Sequence, residues 1–353
     1  MKILSLFDGM ACGHIAFDKL NILIEEYYAY ETDKFAIKTA IHNFPNIVEC
    51  GDVFEADYSK HKDVDWLIGG SPCTFWSIAQ NTQKRETKPE GFGWDLFSQY
   101  LRAIKEAKPK YFLYENNKSM SKDIKNCITE NFGFDPILID SALVSAQHRE
   151  RLYWVGIRQS DGNYKKADIC QPKDLGLSVK DIIGNIIPKT KKDKSPTLTS
   201  SYYEYSVYNS FSIHPLKRPG AIRKVGIFPN RKGELKNAQA TRIYGIDGKS
   251  STLSGCAGGL GGKTGLYAIP DNVYKVKNKE IYYKDGKKFP LDVEDGYYNI
   301  RMLTVEECKK LQTVPKTYDF SCVSKSQAYK MLGNGWTVDV ICHLISETLK
   351  NNA

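Results

Sequence analysis

Short apolar runs alternate with helical stretches through the first third of the chain, as a parallel α/β sheet requires. Residues 2–7 read as a buried strand, followed by the turn Asp8-Gly9-Met10-Ala11-Cys12-Gly13 and a helix over 14–20. Residues 27–30 give a second strand, closed by Glu31, and 33–43 a second helix. Gly51-Asp52-Val53 places Asp52 at the end of the third strand, and 65–68 form a strand ending at Gly69-Gly70-Ser71-Pro72-Cys73. A polar stretch over 80–93 precedes a helix over 96–105. The strand over 111–114 ends at Glu115-Asn116-Asn117, and 152–157 form a further strand.

From about residue 161 the rhythm breaks into turns, aromatics and glycine. One internal echo appears, Lys194-Ser195-Pro196-Thr197-Leu198-Thr199 against Lys249-Ser250-Ser251-Thr252-Leu253-Ser254, and it predicts equivalent short strands in a β-rich unit. Alternation resumes near Arg301, with helices expected over 304–311 and 338–349. The expected fold is α/β: a doubly wound, mostly parallel sheet over 1–160 plus 301–353, interrupted by a smaller, irregular β-rich domain over 161–300.

A length of 353 residues accommodates this division, and 41% hydrophobic with 26% charged residues is ordinary globular usage. No apolar run is long enough to span a membrane, and an acid arrives too early for a signal-peptide core, so a cytoplasmic protein is expected. Nine scattered cysteines without a C-x-x-C pair predict neither a disulfide framework nor a metal site. Charge changes the picture more. Residues 161–295 hold 24 Lys and Arg against 14 Asp and Glu, a balance of +10, whereas the remainder holds 26 against 27. That asymmetry suits either a lysine-rich solvated surface or a polyanion-binding module inserted in a neutral body.

In a doubly wound sheet ligands bind outside the carboxyl ends of the strands, where the chemically typed residues of this chain sit. The Gly9–Gly13 turn lets backbone approach a ligand at a helix N-terminus, Glu31 is placed for ribose hydroxyls, and Asp52 for an adenine amino group. The turn lacks the G-x-G-x-x-G spacing, which favours a nucleoside-like cofactor without a pyrophosphate. Cys73 lies on a proline-stiffened turn, a position suited to an attacking thiolate. Glu115 with Asn116, and Gln147-His148-Arg149-Glu150-Arg151, end or begin neighbouring strands. A thiol, a carboxyl group and paired guanidiniums suit covalent attack on a polar heteroaromatic ring. No hydrolase triad emerges.

These residues, in this order, resemble the bacterial and phage DNA (cytosine-5) methyltransferases. The likeness is carried by Phe7-Asp8-Gly9-Met10-Ala11-Cys12-Gly13, Gly70-Ser71-Pro72-Cys73 with Ser77, Glu115-Asn116, and Gln147-x-Arg149-x-Arg151. Arg301-Met302-Leu303-Thr304 with Glu307-Cys308, and Gln327-Ala328-Tyr329-Lys330 with Gly333-Asn334, extend it to nearly the whole chain outside parts of 161–230. Two departures are Asn117, where the family has valine, and Trp336 in Gly333-Asn334-Gly335-Trp336-Thr337-Val338.

The resemblance implies a class I S-adenosylmethionine-dependent methyltransferase fold with a target-recognition domain, acting on double-stranded DNA at a short G·C-rich site. It implies Cys73 as nucleophile on C6 of a flipped cytosine, Glu115 at the N3 edge, Arg151 at O2, and Arg149 supporting the site or a phosphate. Residues 80–93, with Lys84, Arg85 and Lys88, resemble the family's mobile catalytic loop. Phe7, Gly9, Glu31, Asp52, Asn334 and Trp336 are the expected S-adenosylmethionine contacts. Ser77, Gln239, Arg242, Thr252, Ser254, Gly258 and Gly259 are the expected DNA contacts, with Gln239 filling the flipped-base space and Arg242 reading guanine. A monomer is expected, with a restriction endonuclease, where one exists, acting separately. Competing readings are a tRNA cytosine methyltransferase, a thymidylate-synthase-like enzyme, and a DNA-binding relative without activity. The Cys-Phe-Thr signature of the tRNA enzymes is absent from the sequence.

Overall fold

The computed structural model describes residues 1–77, 85–183, 221–230, 232–255, 260–283 and 286–351. Strand β1 (Lys2–Leu6) lies at the centre of the larger sheet, between β2 (Glu26–Tyr30) on one side and β4 (Trp66–Gly69) on the other. β3 (Val48–Glu49) extends the β2 side, and β5 (Tyr111–Asn117) the β4 side; all five are parallel. β7 (Glu150–Arg158) then inserts antiparallel between β5 and β6 (Ile137–Asp140). The order β3-β2-β1-β4-β5-β7-β6 reverses direction at β1, and that switch point opens a crevice between the ends of β1 and β4.

Helices cover both faces, which is why the central strands read as continuous apolar runs. α1 (Cys12–Lys19) and α2 (Lys34–Asn43) share one core with Ile3 and Ile68. α8 (Val338–Lys350), the last helix, joins that core through Ile341 and Leu344, and Lys19 meets Asp339 across it at 2.5 Å. α3 (Phe92–Ala107) and α4 (Lys122–Phe132) close the opposite face. Two shorter helices, α6 (Val305–Leu311) and α7 (Lys325–Asn334), precede α8, and Thr304 and Glu307 form a reciprocal capping box at the start of α6. Among the described residues no helix is long and apolar enough to cross a membrane.

The larger sheet continues past residue 160. β8 (Tyr164–Lys166) pairs with β7, and α5 (Val179–Ile183) buries Val179 and Ile182 in the core shared with α1 and α8. The second sheet contains β9 (Lys224–Ile227), β10 (Arg242–Tyr244), β11 (Leu266–Lys277), β12 (Glu280–Tyr282), β13 (Lys288–Pro290) and β14 (Gly296–Arg301). It has its own core of Val225, Ile243, Leu266, Phe289 and Leu291, while Tyr244, Tyr267 and Ile269 face the larger domain's core.

Several elements differ from the sequence expectation. The helix expected from residue 14 begins at Cys12, and α3 begins at Phe92, within the stretch read as loop. β3 ends at Glu49, so Asp52 lies in the following turn and not at a strand end; Gly51 there has φ +88°. Of the internal echo, residues 194–199 lie outside the described residues. The other copy does not join the smaller sheet: Ser250 bridges to Gln147, at the entrance to β7.

The helix α4 buries Ile124, Ile128 and Phe132, the last within an aromatic cluster. Phe132 meets Phe112 at 5.0 Å, Phe97 and Tyr114 at 5.6 Å, and Trp154 at 6.0 Å between ring centroids. Phe132→Ala should leave a cavity and cost about 3–5 kcal/mol in urea denaturation. A loss below about 1 kcal/mol would show that the cluster collapses around the gap.

Candidate active site

The chain leaves β1 through a turn in which Phe7, Gly9 and Ala11 all adopt left-handed conformations, at φ 57°, 61° and 58°. Only glycine does this freely, so Phe7 and Ala11 each hold roughly 1–2 kcal/mol of backbone strain. Glu31 stabilises the turn: Oε2 accepts from the Gly9 amide at 2.8 Å, and Oε1 accepts from the amides of Thr32 and Asp33. Beneath it Asp8 is buried and accepts from Ser5 Oγ and Tyr27 Oη. Burial pushes the Asp8 carboxyl up to about 6. Glu49 is likewise pushed up to about 7, chiefly by burial and then by the nearby Asp8 and Glu31. The burial of Asp8 and Glu49 has no signal in the sequence, where an acid near a strand end suits a ligand contact as readily as a buried one.

Across the crevice, Cys73 opens a short 3₁₀ turn, Cys73–Phe75, whose first carbonyl accepts from the Ser77 amide at 2.9 Å. Gly70 brings this turn against β5: a Cβ there would stand 2.7 Å from the Glu115 carbonyl oxygen and 2.9 Å from its Oε2. The Glu115 carboxylate is only slightly exposed and is clamped on both oxygens. Arg151 Nε lies 3.0 Å from Oε1, and Trp336 Nε1 donates to Oε2 at 3.0 Å. Asn116 turns inward and donates to the Ser71 carbonyl at 3.2 Å, tying the β4 and β5 ends together. Burial pushes the Cys73 thiol up, while Arg151 and Arg149 pull it back and Glu115 opposes them.

Arg149, expected to support the site or a phosphate, is 4% exposed. Its guanidinium donates to the carbonyls of Gly333 at 3.2 Å and Gly335 at 2.9 Å. This brings the end of α7 to the entrance of β7. Trp336, expected at the cofactor, thereby has its indole N–H on Glu115; nothing in its sequence position signals that contact before the fold is known. The Asn334 side chain faces Gly255, where a Cβ would stand 2.0 Å from Asn334 Oδ1.

The residues expected to meet DNA fall into two groups. Gln239 is exposed and opens a short 3₁₀ turn, Gln239–Thr241; Arg242 follows as the first residue of β10 and donates to Asn237 Oδ1 at 3.1 Å. Thr252 and Ser254 instead anchor the segment. The Thr252 hydroxyl donates to the His148 carbonyl, the Ser254 amide donates to the Lys263 carbonyl, and Gly255 lies directly on Gly333. The Gly261 amide donates to the Ala240 carbonyl at 2.7 Å, joining the two groups. Gly258 and Gly259 lie outside the described residues, as do residues 80–84 of the expected catalytic loop. The far side of that loop is tied down: Glu86 accepts from Trp76 Nε1 and the Gly93 amide, and Arg85 donates to the Ser119 carbonyl.

Comparison with known proteins places this geometry. An orphan methyltransferase, M.Rho11sI of Bacillus phage rho11s, is 29% identical over 315 residues, covering 77% of this chain and 61% of the phage protein. The type II methyltransferase M.FnuDI of Fusobacterium nucleatum is 28% identical over 373 residues, covering 99% of this chain and 95% of that one. Among solved structures, the methyltransferase EhMeth of Entamoeba histolytica superposes with a TM-score of 0.61 at 13% identity, covering 100% of this chain and 99% of that one, a likeness of fold. The fold is that of the class I methyltransferases. The sequence model of the C-5 cytosine-specific DNA methylases matches residues 1–350, and the chain belongs to that family.

Proposed function

We propose that this chain transfers a methyl group from S-adenosylmethionine to C5 of a cytosine extruded from duplex DNA, through a transient bond between Cys73 and C6. The observation that carries the reading is the convergence of Cys73, Glu115 and Arg151 at adjacent strand ends, with the carboxylate and guanidinium locked at 3.0 Å.

The donor set beside the crevice fits the cofactor. A glycine turn without a phosphate-binding pattern faces a fixed carboxylate, Glu31, and suits a nucleoside. Phe7, Gly9, Glu31 and Asp52 would hold it. When bound, it supplies an electrophilic methyl group. In the reaction on the base, the Cys73 thiolate gives its electron pair to C6, and the C5–C6 π pair moves to C5 as the new nucleophile. Glu115 holds a proton at the N3 edge, which draws electron density into the ring, and Arg151 holds O2. After methylation the C5 proton passes to solvent water, the C5–H electron pair reforms the C5–C6 double bond, and the C6–S bond breaks with its electrons returning to sulfur.

We place the DNA grip in the basic segment and base reading on the Gln239–Arg242 turn. Thr252 and Ser254 serve in this reading as anchors of that segment to the catalytic domain.

Duplex DNA carrying 5-fluorocytosine should trap a covalent adduct with the wild-type chain in the presence of S-adenosylmethionine, because fluorine cannot leave as a proton does. Cys73→Ala should form no adduct and still bind DNA. A persistent adduct in that variant, or equal methylation of tRNA and duplex DNA by the wild type, would sink the proposal.

Glu115→Gln should lower turnover by about two orders of magnitude or more, as loss of a positioned proton donor does, while S-adenosylmethionine affinity by calorimetry stays near wild type. A collapse of cofactor binding with normal turnover by the bound fraction would reassign the residue.

Arg242→Ala should cost about 1–3 kcal/mol on the preferred duplex and relax discrimination at one base position. A binding competition among singly substituted duplexes at two salt concentrations reads this directly. Equal losses on every duplex would make Arg242 a phosphate contact.

A further inference from the structure

Trp336 combines three constraints that together assign it a task. Its indole Nε1 donates to Glu115 Oε2 at 3.0 Å, while Arg151 occupies Oε1. The backbone before it is fixed, since Arg149 holds the Gly333 and Gly335 carbonyls and Gly335 packs against Cys12 Sγ and Met10 Sδ. The backbone after it is fixed as well. Thr337 Oγ1 donates to Gln312 Oε1 and accepts from Ser141 Oγ, both at 2.8 Å. The backbone on both sides of the indole is thus held, and the N–H meets the Glu115 carboxylate from a fixed base.

We propose that Trp336 is a positioning residue for Glu115. The indole N–H and the Arg151 guanidinium, one on each oxygen, set the plane of the carboxyl group, and Gly70 leaves only backbone against its inner side. With rotation about the last side-chain bond removed, the group meets the N3 edge in a single orientation, and the orienting cost is met on folding rather than at each turnover. The indole gives up no proton and touches no reacting atom. This inference rests on the methyltransferase reading, in which Glu115 acts at the pyrimidine ring.

Trp336→Phe keeps the ring and removes the N–H. In the full chain, with duplex DNA and S-adenosylmethionine both saturating, kcat should fall about ten-fold, the usual scale for one hydrogen bond to a charged group. KM for DNA and the calorimetric affinity for S-adenosylmethionine should stay within about two-fold of wild type. Adduct formation on 5-fluorocytosine duplex should slow by the same factor as kcat. An unchanged kcat would overturn the positioning role, and so would a loss of cofactor affinity as large as the loss of kcat, which would make Trp336 a wall of the cofactor site. Absence of methyl transfer by the wild-type chain would instead overturn the enzymatic reading, and this inference with it; normal wild-type turnover separates the two failures.

Discussion

The Arg149 guanidinium is buried between the entrance of β7 and the end of α7, with the carbonyls of Gly333 and Gly335 as its acceptors. Burying a cation costs several kcal/mol unless it is hydrogen-bonded, and here two backbone dipoles separated from it by more than 180 residues do that work. Burial, reinforced by Arg151, pushes the Arg149 group down to about 10, which leaves it charged at neutral pH. The charge therefore cannot be relieved by deprotonation, and the chain must close around it. Every later feature of the site depends on that closure: Gly335 seated on Met10 and Cys12, Trp336 aimed at Glu115, and Gly333 offered to Gly255.

The electrostatics around Cys73 follow from the same enclosure. Removing the sulfur from water favours the neutral thiol, and two guanidiniums only partly offset that. In the reaction proposed above the thiolate must be generated in place, with Arg151 and Arg149 positioned to stabilise the charge when it appears. Glu115 cannot drift toward the thiol to interfere, because both of its oxygens are committed.

The central strands were legible in the sequence because burial on both faces leaves no polar alternation to confuse the period, as in Ile3, Leu4 and Leu6 or Leu67 and Ile68. Their ends were legible because acids, glycine and cysteine interrupt apolar runs abruptly there, and these interruptions located Cys73, Glu31 and Glu115. Short or edge elements were not. β3 is two residues long, and its exposed Val48 carries no pattern, so Asp52 was displaced to a strand end it does not occupy. Two contacts had no local signal at all. Trp336 on Glu115 spans 221 residues, and Arg149 on Gly335 spans 186, so each exists only because the last motif folds back onto the first sheet.

The smaller sheet meets the larger unit through backbone contacts, buried carbonyl acceptors and an ion pair, Arg301 of β14 with Glu307 of α6 at 2.8 Å. Gly255 and Gly333 meet backbone to backbone, where a Cβ on Gly333 would stand 2.3 Å from the Gly255 amide nitrogen. Beside them Ser250 exchanges backbone hydrogen bonds with Ala146 and His148, and the buried Lys249 ammonium donates to the carbonyls of Ala142 and Ser145. Lys249 is thus one member of the basic segment that serves the fold and is unavailable to a polyanion. Arg223, salt-bridged to Asp247 at 2.8 Å, is another that is structurally committed. The Gln239–Arg242 turn is therefore held on the larger unit by backbone contacts, buried acceptors and the Arg301–Glu307 pair together.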